Sequence, residues 1–199
     1  MKDNRGITLV EIIVVVAIIA ILAGGALLST GAISTWQLNN GAKSFEMFYS
    51  KSRLQAMAKA DIGGMIVYQK DGKVTFGMTS KDEMNYSAFD VNQKEVSIPS
   101  GISITLTLEE VGGTGLSQDY VLGLLGADRP ANPTITTGAL NLGAINFRKG
   151  TGAQLPVTYT ITSGGGLTGE YYITKIVLEL KGKTIVYRIE PTTGTYTKE

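Results

Sequence analysis

One uninterrupted apolar run near the start of the chain constrains its structure more than any other feature. Residues 12–28 are seventeen consecutive Ile, Val, Leu, Ala or Gly residues, and no Pro interrupts them. As an α-helix, the stretch from Ile7 to Leu28 would be about 33 Å long, which is enough to cross the hydrocarbon core of a bilayer. The run therefore predicts a membrane helix ahead of any folded domain.

The charges around this run predict its orientation. Lys2 and Arg5 precede it, and Glu11 is the single charged residue between Ile7 and Ala42. The positive-inside rule then places the N-terminus in the cytoplasm and the rest of the chain outside. A carboxylate costs up to about 2.5–3.5 kcal/mol at mid-membrane and less near the interface, so Glu11 is by default a functional residue.

Two other interpretations of the run are open on the residues alone. A secretory signal peptide would combine the basic start and the apolar centre with small residues 23–25, before a cut at Ala26. A buried core helix is the second, although a core helix in a small domain normally keeps a polar face. Glu11 argues against a signal peptide or a plain anchor, because neither has a use for a carboxylate.

Composition excludes several classes of function. The chain has 199 residues without Cys or His, which excludes disulfides, thiolate or imidazole metal sites and Ser-His or Cys-His nucleophiles. A net charge of +1 gives no strong field to attract nucleic acid. The glycine-rich segment Gly164–Gly169 fits G-x-G-x-x-G, but a strand pattern follows it where a nucleotide site needs a helix. We therefore expect no enzyme, cofactor, metal ion or nucleic-acid partner.

The helix is predicted to continue over residues 31–62 with apolar side chains on two faces. It should end at Ile62–Gly64, where two glycines follow. Such a helix is either sunk into its own domain, or packs one face on its own sheet and the other on neighbouring subunits; both alternatives are open. One face carries Leu38, Phe45, Phe48 and Tyr49, and the other carries Met47, Leu54, Met57 and Ala58.

The remaining residues, 63–199, show strand and turn patterns. Asp71-Gly72 predicts a hairpin, and the strict alternation from Ile102 to Leu108 predicts a strand buried on one face. The predicted fold class is α+β: a long N-terminal helix, half anchor and half amphipathic, packed on a mostly antiparallel sheet. The strand candidates are Met65–Gln69, Val74–Met78, Ile102–Leu108, Tyr120–Leu125, Ala144–Arg148, Val157–Ile161, Tyr172–Leu180 and Thr184–Ile189.

The first thirty residues resemble the class III signal of type IV pilins and type II secretion pseudopilins. A short basic leader ends at Gly6, Glu11 lies five residues beyond it, and the apolar run follows. The resemblance implies that prepilin peptidase cuts after Gly6 and N-methylates Ile7, which stands where the family most often has Phe. It also implies that Glu11 acts in assembly, by pairing with the Ile7 amine of an adjacent subunit.

The resemblance also implies an organisation and a set of partners. Residues 1–6 would be a cleaved leader, 7–30 a transmembrane and filament-core helix, 31–62 its amphipathic extension, and 63–199 the β-rich head. The chain would be a non-enzymatic filament subunit, single-pass in the bacterial cytoplasmic membrane with its N-terminus in the cytoplasm, and later part of an extracytoplasmic filament. Its partners would be prepilin peptidase, other pilins or pseudopilins, a membrane platform protein and an assembly ATPase.

The chain also shows a narrower resemblance, and its sequence leaves two other functions open. Tyr49–Ala56 and Ile145–Gly150 are similar to segments of the minor pseudopilin H type. A secreted binding or adhesion protein, cut near Ala26 as an ordinary signal peptide, is the main alternative. A membrane-anchored envelope enzyme is the other, although the sequence offers no catalytic constellation for it. The start of the mature chain distinguishes the first two functions.

Overall fold

The computed structural model describes residues 8–58, 62–80, 95–113, 117–123, 133–136, 139–162 and 167–199, without the side chains of residues 25–30, 62, 80 and 167. One helix, α1, spans Leu9–Ala58. Strands make up most of the described remainder, so the described residues combine a helix with sheets, as the α+β prediction expects. The strands are β1 Ile62–Lys70, β2 Lys73–Ser80, β3 Val96–Ser97, β4 Ser103–Glu110, β5 Ser117–Leu122, β6 Thr134–Thr136, β7 Ala139–Leu140, β8 Leu142–Phe147, β9 Gln154–Leu155, β10 Val157–Ile161, β11 Leu167–Leu180, β12 Lys183–Glu190 and β13 Thr195–Lys198.

The chain divides into two compact units, Met1–Trp36 and Gln37–Glu199. All of the described strands belong to the second unit. The helix ends at Ala58, and Ile62 already begins β1, so the helix end predicted at Ile62–Gly64 is wrong. The predicted segments 1–6, 7–30, 31–62 and 63–199 stay predictions.

The described strands of the second unit form two sheets where the sequence predicts one. The first has the order β3-β2-β1-β8-β9 and the second β10-β6-β7-β5-β4-β11-β12-β13. Described pairings are antiparallel except for β10 with β6 and β5 with β7, which are parallel. Strand β10 also pairs with β11, so six strands of the second sheet close into a ring.

Within the second unit, one face of α1 packs against both sheets. Phe45 is fully buried, and its ring lies 5.8 Å from Phe76 of β2 and 4.6 Å from Tyr187 of β12, between centroids. The buried positions recur every three or four residues, as one helix face requires. They include all four predicted for this face: Leu38, Phe45, Phe48 and Tyr49.

The opposite face of α1 is largely uncovered, although Met57 on that face is half-buried. Met47 is 70% exposed and Leu54 is 62% exposed. The alternative in which both helix faces are sunk into the chain's own domain is therefore wrong. The sheet-packed alternative holds for one face only, and no residue that the structure describes covers the second face at Met47 or Leu54.

Polar contacts fix the same helix to two turns of the sheets. Arg53 donates to the carbonyl oxygens of Gly152, at 3.1 Å, and Thr193, at 2.8 Å. The Tyr49 hydroxyl donates to the carbonyl oxygen of Gly194 at 3.0 Å. Gly194 has φ 64°, and a Cβ there would lie 1.8 Å from the Gly152 carbonyl oxygen, so only glycine fits. These contacts hold the turn before β13 against the helix.

Candidate functional site

The start of α1 carries the candidate site. Thr8 precedes the helix, and its Oγ1 accepts a hydrogen bond from the Glu11 backbone N–H at 3.3 Å. Its carbonyl oxygen accepts from the Ile12 N–H at 3.3 Å, as the first bond of the helix. Thr8 is thus the N-cap residue and Glu11 is the third helical residue, the spacing of a capping box. Sequence reasoning missed Thr8, although T-x-x-E was the available signal.

The Glu11 carboxylate is exposed, and it forms no hydrogen bond or ion pair with any residue that the structure describes. Only the backbone N–H of Glu11 takes part in the cap. The side chain is therefore not needed to form this cap. Its negative charge in the first turn still interacts favourably with the helix dipole and stabilises the helix by about 0.3–1 kcal/mol. The two other predicted site residues, Gly6 and Ile7, lie outside the described residues.

Apolar surface surrounds Glu11 on the helix. Every large apolar side chain between Leu9 and Leu22 is roughly half exposed or more, from 49% at Val15 to 74% at Leu9 and Ile21. Complete burial of one such side chain is worth about 1.5–3 kcal/mol, and here much of that stabilisation is unrealised. Contiguous apolar surface of this kind marks a site of interaction with lipid or with other chains.

The predicted membrane-crossing segment, residues 7–30, is described only in part. Residue 7 and the side chains of residues 25–30 lie outside the described set. In the part of the chain that the structure describes, no helix combines the length and the hydropathy needed to cross a membrane.

The described residues also contain no group of three or more acidic side chains that could hold a metal ion. In the second unit, the partly exposed Glu46 carboxylate of α1 accepts hydrogen bonds from the Tyr187 hydroxyl and from Lys198 Nζ, each at 2.8 Å. Burial acts to raise the pKa of Glu46, but these two hydrogen bonds and the Lys198 charge outweigh it, so the pKa lies below its ordinary value. This contact joins the helix to β12 and β13, so its role is structural.

Comparison with known protein families finds a match in the segment that contains the candidate site. Residues 1–27 match the family model of the prokaryotic N-terminal methylation motif. The chain carries a class III prepilin signal. This signal belongs to type IV pilins and pseudopilins, and it implies processing by prepilin peptidase and assembly with other pilins. A signal of this kind is associated with membrane-anchored pilin precursors. No curated protein and no solved structure matches the chain.

Proposed function

We propose that the chain is a structural subunit of a type IV pilus or a type II secretion pseudopilus, without enzymatic activity. The observation that carries this proposal is the prepilin signal at residues 1–27. The exposed apolar side chains from Leu9 to Leu22 support it, because a filament subunit needs an apolar surface first in the membrane and later in the filament. Lipid covers it before assembly, and the helices of neighbouring subunits cover it afterwards.

In this proposal the precursor waits in the bacterial cytoplasmic membrane, with its N-terminus in the cytoplasm and its head outside. Prepilin peptidase cuts after Gly6, which frees the Ile7 amine for methylation. The membrane platform protein and the assembly ATPase of the host system then drive the subunit into the filament. Residues 7–30 form the filament core, and the β-rich head faces outward.

Glu11 sets the register of the incoming subunit. Its carboxylate has no described partner within the chain, so it is available to the Ile7 amine of an adjacent subunit. An unpaired carboxylate in an apolar filament core is costly, and one that is paired with an amine is much less so. A register that brings the two groups together is therefore favoured over a register that leaves both unpaired.

The similarity to the minor pseudopilin H type is a narrower proposal within this one. Its two segments meet in the structure, where the rings of Tyr49 and Phe147 lie 5.3 Å apart in an edge-to-face arrangement. This contact accounts for the position of both segments in the core. The stoichiometry of the subunit in purified filaments tests whether it is minor.

Substitution of Glu11 tests the assembly role. Glu11→Val leaves the backbone N–H that Thr8 caps, so insertion and cleavage should persist while incorporation into filaments falls. Glu11→Asp should give intermediate incorporation, because the charge is retained while the side chain is shorter. Glu11→Gln tests whether the charge itself is needed. The measurement is the ratio of filament-incorporated to cleaved membrane protein.

Thr8→Val is the matched control for these variants. It removes the capping oxygen, at a cost of about 1 kcal/mol to the helix start, but it keeps the carboxylate. Incorporation of Thr8→Val should therefore stay close to that of the unchanged chain. Normal incorporation of cleaved Glu11→Val would contradict the role assigned to the carboxylate, as would an equal loss in Thr8→Val.

Processing is tested by mass spectrometry of the membrane-associated protein. The mature chain should start at Ile7, and Gly6→Val should remain uncut in the membrane. A start at Ala26 would overturn the filament proposal in favour of a secreted protein with an ordinary signal peptide.

A further inference from the structure

The one tryptophan of the chain lies on the same helix, at the end of the first unit. Trp36 is 65% exposed, and its indole N–H donates to no residue that the structure describes. Ile33, one turn earlier on the same helix face, is 54% exposed. A large ring with a polar N–H is the type of side chain that is enriched where a membrane meets water.

The two polar residues that precede Trp36, Ser34 and Thr35, need no water as a hydrogen-bond acceptor. The Ser34 hydroxyl donates to the Gly31 carbonyl oxygen at 3.0 Å, and the Thr35 hydroxyl donates to the same oxygen at 2.9 Å. Each hydroxyl is therefore satisfied within its own helix. This turn of helix can enter a partly dehydrated layer without leaving a hydroxyl donor unpaired.

The spacing between Glu11 and Trp36 matches the thickness of a bilayer. Twenty-five residues of helix span about 38 Å, against about 30 Å for the hydrocarbon core and 40–45 Å with the headgroups. With Glu11 at the inner edge of the core, where a carboxylate costs least, Ile33 lies at the outer edge and Trp36 in the outer headgroup layer. A tilt of about 20° shortens the span to roughly 35 Å, which keeps Trp36 in that layer.

We propose that Ile33 and Trp36 form an interfacial anchor, which in the membrane-bound precursor lies in the outer headgroup layer of the bilayer. The proposal rests on the membrane anchoring of the proposed function and adds a lipid contact at a defined depth. The anchor would resist vertical sliding of the helix and so hold Glu11 at the inner edge. Assembly then requires this ring to leave the lipid.

Fluorescence of the full-length chain in phosphatidylcholine vesicles tests the proposal, because Trp36 is the one intrinsic tryptophan. The vesicles carry nitroxide quenchers either near the headgroup or deep in the acyl chains, at a low ratio of protein to lipid. The shallow quencher should reduce Trp36 emission at least twofold more than the deep one does.

Two double variants provide matched controls. Trp36→Phe with Ile19→Trp moves the probe to a position eight residues from Glu11, and the deep quencher should act more strongly there. Trp36→Phe with Met47→Trp moves it to an exposed position in the second unit, where both quenchers should act weakly.

Four other results of the quenching experiments would overturn the proposal. Quenching at position 19 without quenching at Trp36 refutes the anchor and leaves membrane insertion intact. Absence of quenching at both positions refutes membrane anchoring itself, and with it the proposed function. Blue-shifted Trp36 emission that resists the quenchers and reverts on dilution with lipid shows that a second copy covers the ring. Equal shallow quenching at position 47 refutes the assigned depth.

Discussion

The end of α1 from Gln37 onward folds together with the β-rich head as the second unit, and replacement of Phe45 by alanine should be among the most damaging single changes there. Phe45 is fully buried, and its ring packs against Tyr49 of its own helix and against Phe76 and Tyr187 from the two different sheets. Truncation of a buried Phe to Ala costs about 3–5 kcal/mol, the more so where the surroundings cannot collapse into the cavity. Because two sheets and a helix meet at this ring, we expect a loss near the upper end.

The assay is urea unfolding of the fragment Gln37–Glu199, followed by circular dichroism. The free energy of unfolding of a domain is only about 5–15 kcal/mol. Phe45→Ala should therefore strongly lower the urea concentration at the unfolding midpoint, while the dependence of the unfolding free energy on urea concentration stays unchanged. Phe45→Leu retains most of the volume and should cost about 1–2 kcal/mol.

Met47→Ala is the matched control, two residues away on the same helix. Met47 is 70% exposed, so its truncation should change the free energy of unfolding by no more than about 0.5 kcal/mol. If Phe45→Ala were no more destabilising than Met47→Ala, the reasoning that this helix face completes the core of the head would be refuted.

Two further predictions concern the contacts that hold β12 and β13 in place. Gly194→Ala should destabilise the head by several kcal/mol, because the new Cβ would meet the Gly152 carbonyl oxygen. Gly182→Ala is the control, since Gly182 has a similar positive φ but open space around it. Thermal unfolding should show a destabilisation of only about 1–2 kcal/mol for Gly182→Ala. The lowered pKa of Glu46 contributes stability that is present above its ordinary value of 4.5 and is lost as pH falls through the lowered value. Urea unfolding across that acidic range should therefore show a smaller loss of stability in Glu46→Gln than in the unchanged head, and equal losses would contradict the contribution of Glu46.

The prepilin signal could be predicted from sequence because its characteristic residues lie close together in the chain. Gly6, Ile7 and Glu11 lie within six positions, and the apolar run follows directly. The inner face of α1 could be predicted for a similar reason, since its period of three to four residues repeats over several turns. Both signals are local, so no knowledge of the partners of each residue was needed.

The arrangement of the sheets could not be predicted in this way. Strands β6 and β7 have three and two residues, which is too short for alternation to appear in the sequence. Their parallel pairings with β10 and β5 join segments that are distant in the chain, and the ring closes only through them. Strand β13 has one apolar residue, Tyr196, and takes its position from contacts with α1 and β12.

The error at the end of α1 has a specific physical cause. Two glycines after an apolar helix typically end it, which is why Ile62–Gly64 was predicted as the boundary. In the structure these residues lie in β1, and a Cβ on Gly64 would approach the Ile145 carbonyl oxygen to 2.0 Å. Glycine is required there by the close approach of β8, a contact between residues eighty-one positions apart that local sequence cannot reveal.

The distribution of burial along the chain separates assembly from folding. The described hydrophobic core begins at Leu38, whereas the large apolar side chains from Leu9 to Leu22 are exposed. Burial of that first segment by lipid or by other subunits therefore adds no core contact to the head, and its exposure removes none. Glu11→Val and Phe45→Ala should accordingly act independently, because distant sites without shared partners have additive effects. In urea unfolding of the full chain, Glu11→Val should leave the midpoint of the head unchanged, and a shift of that midpoint would show that the head's stability depends on the assembly segment.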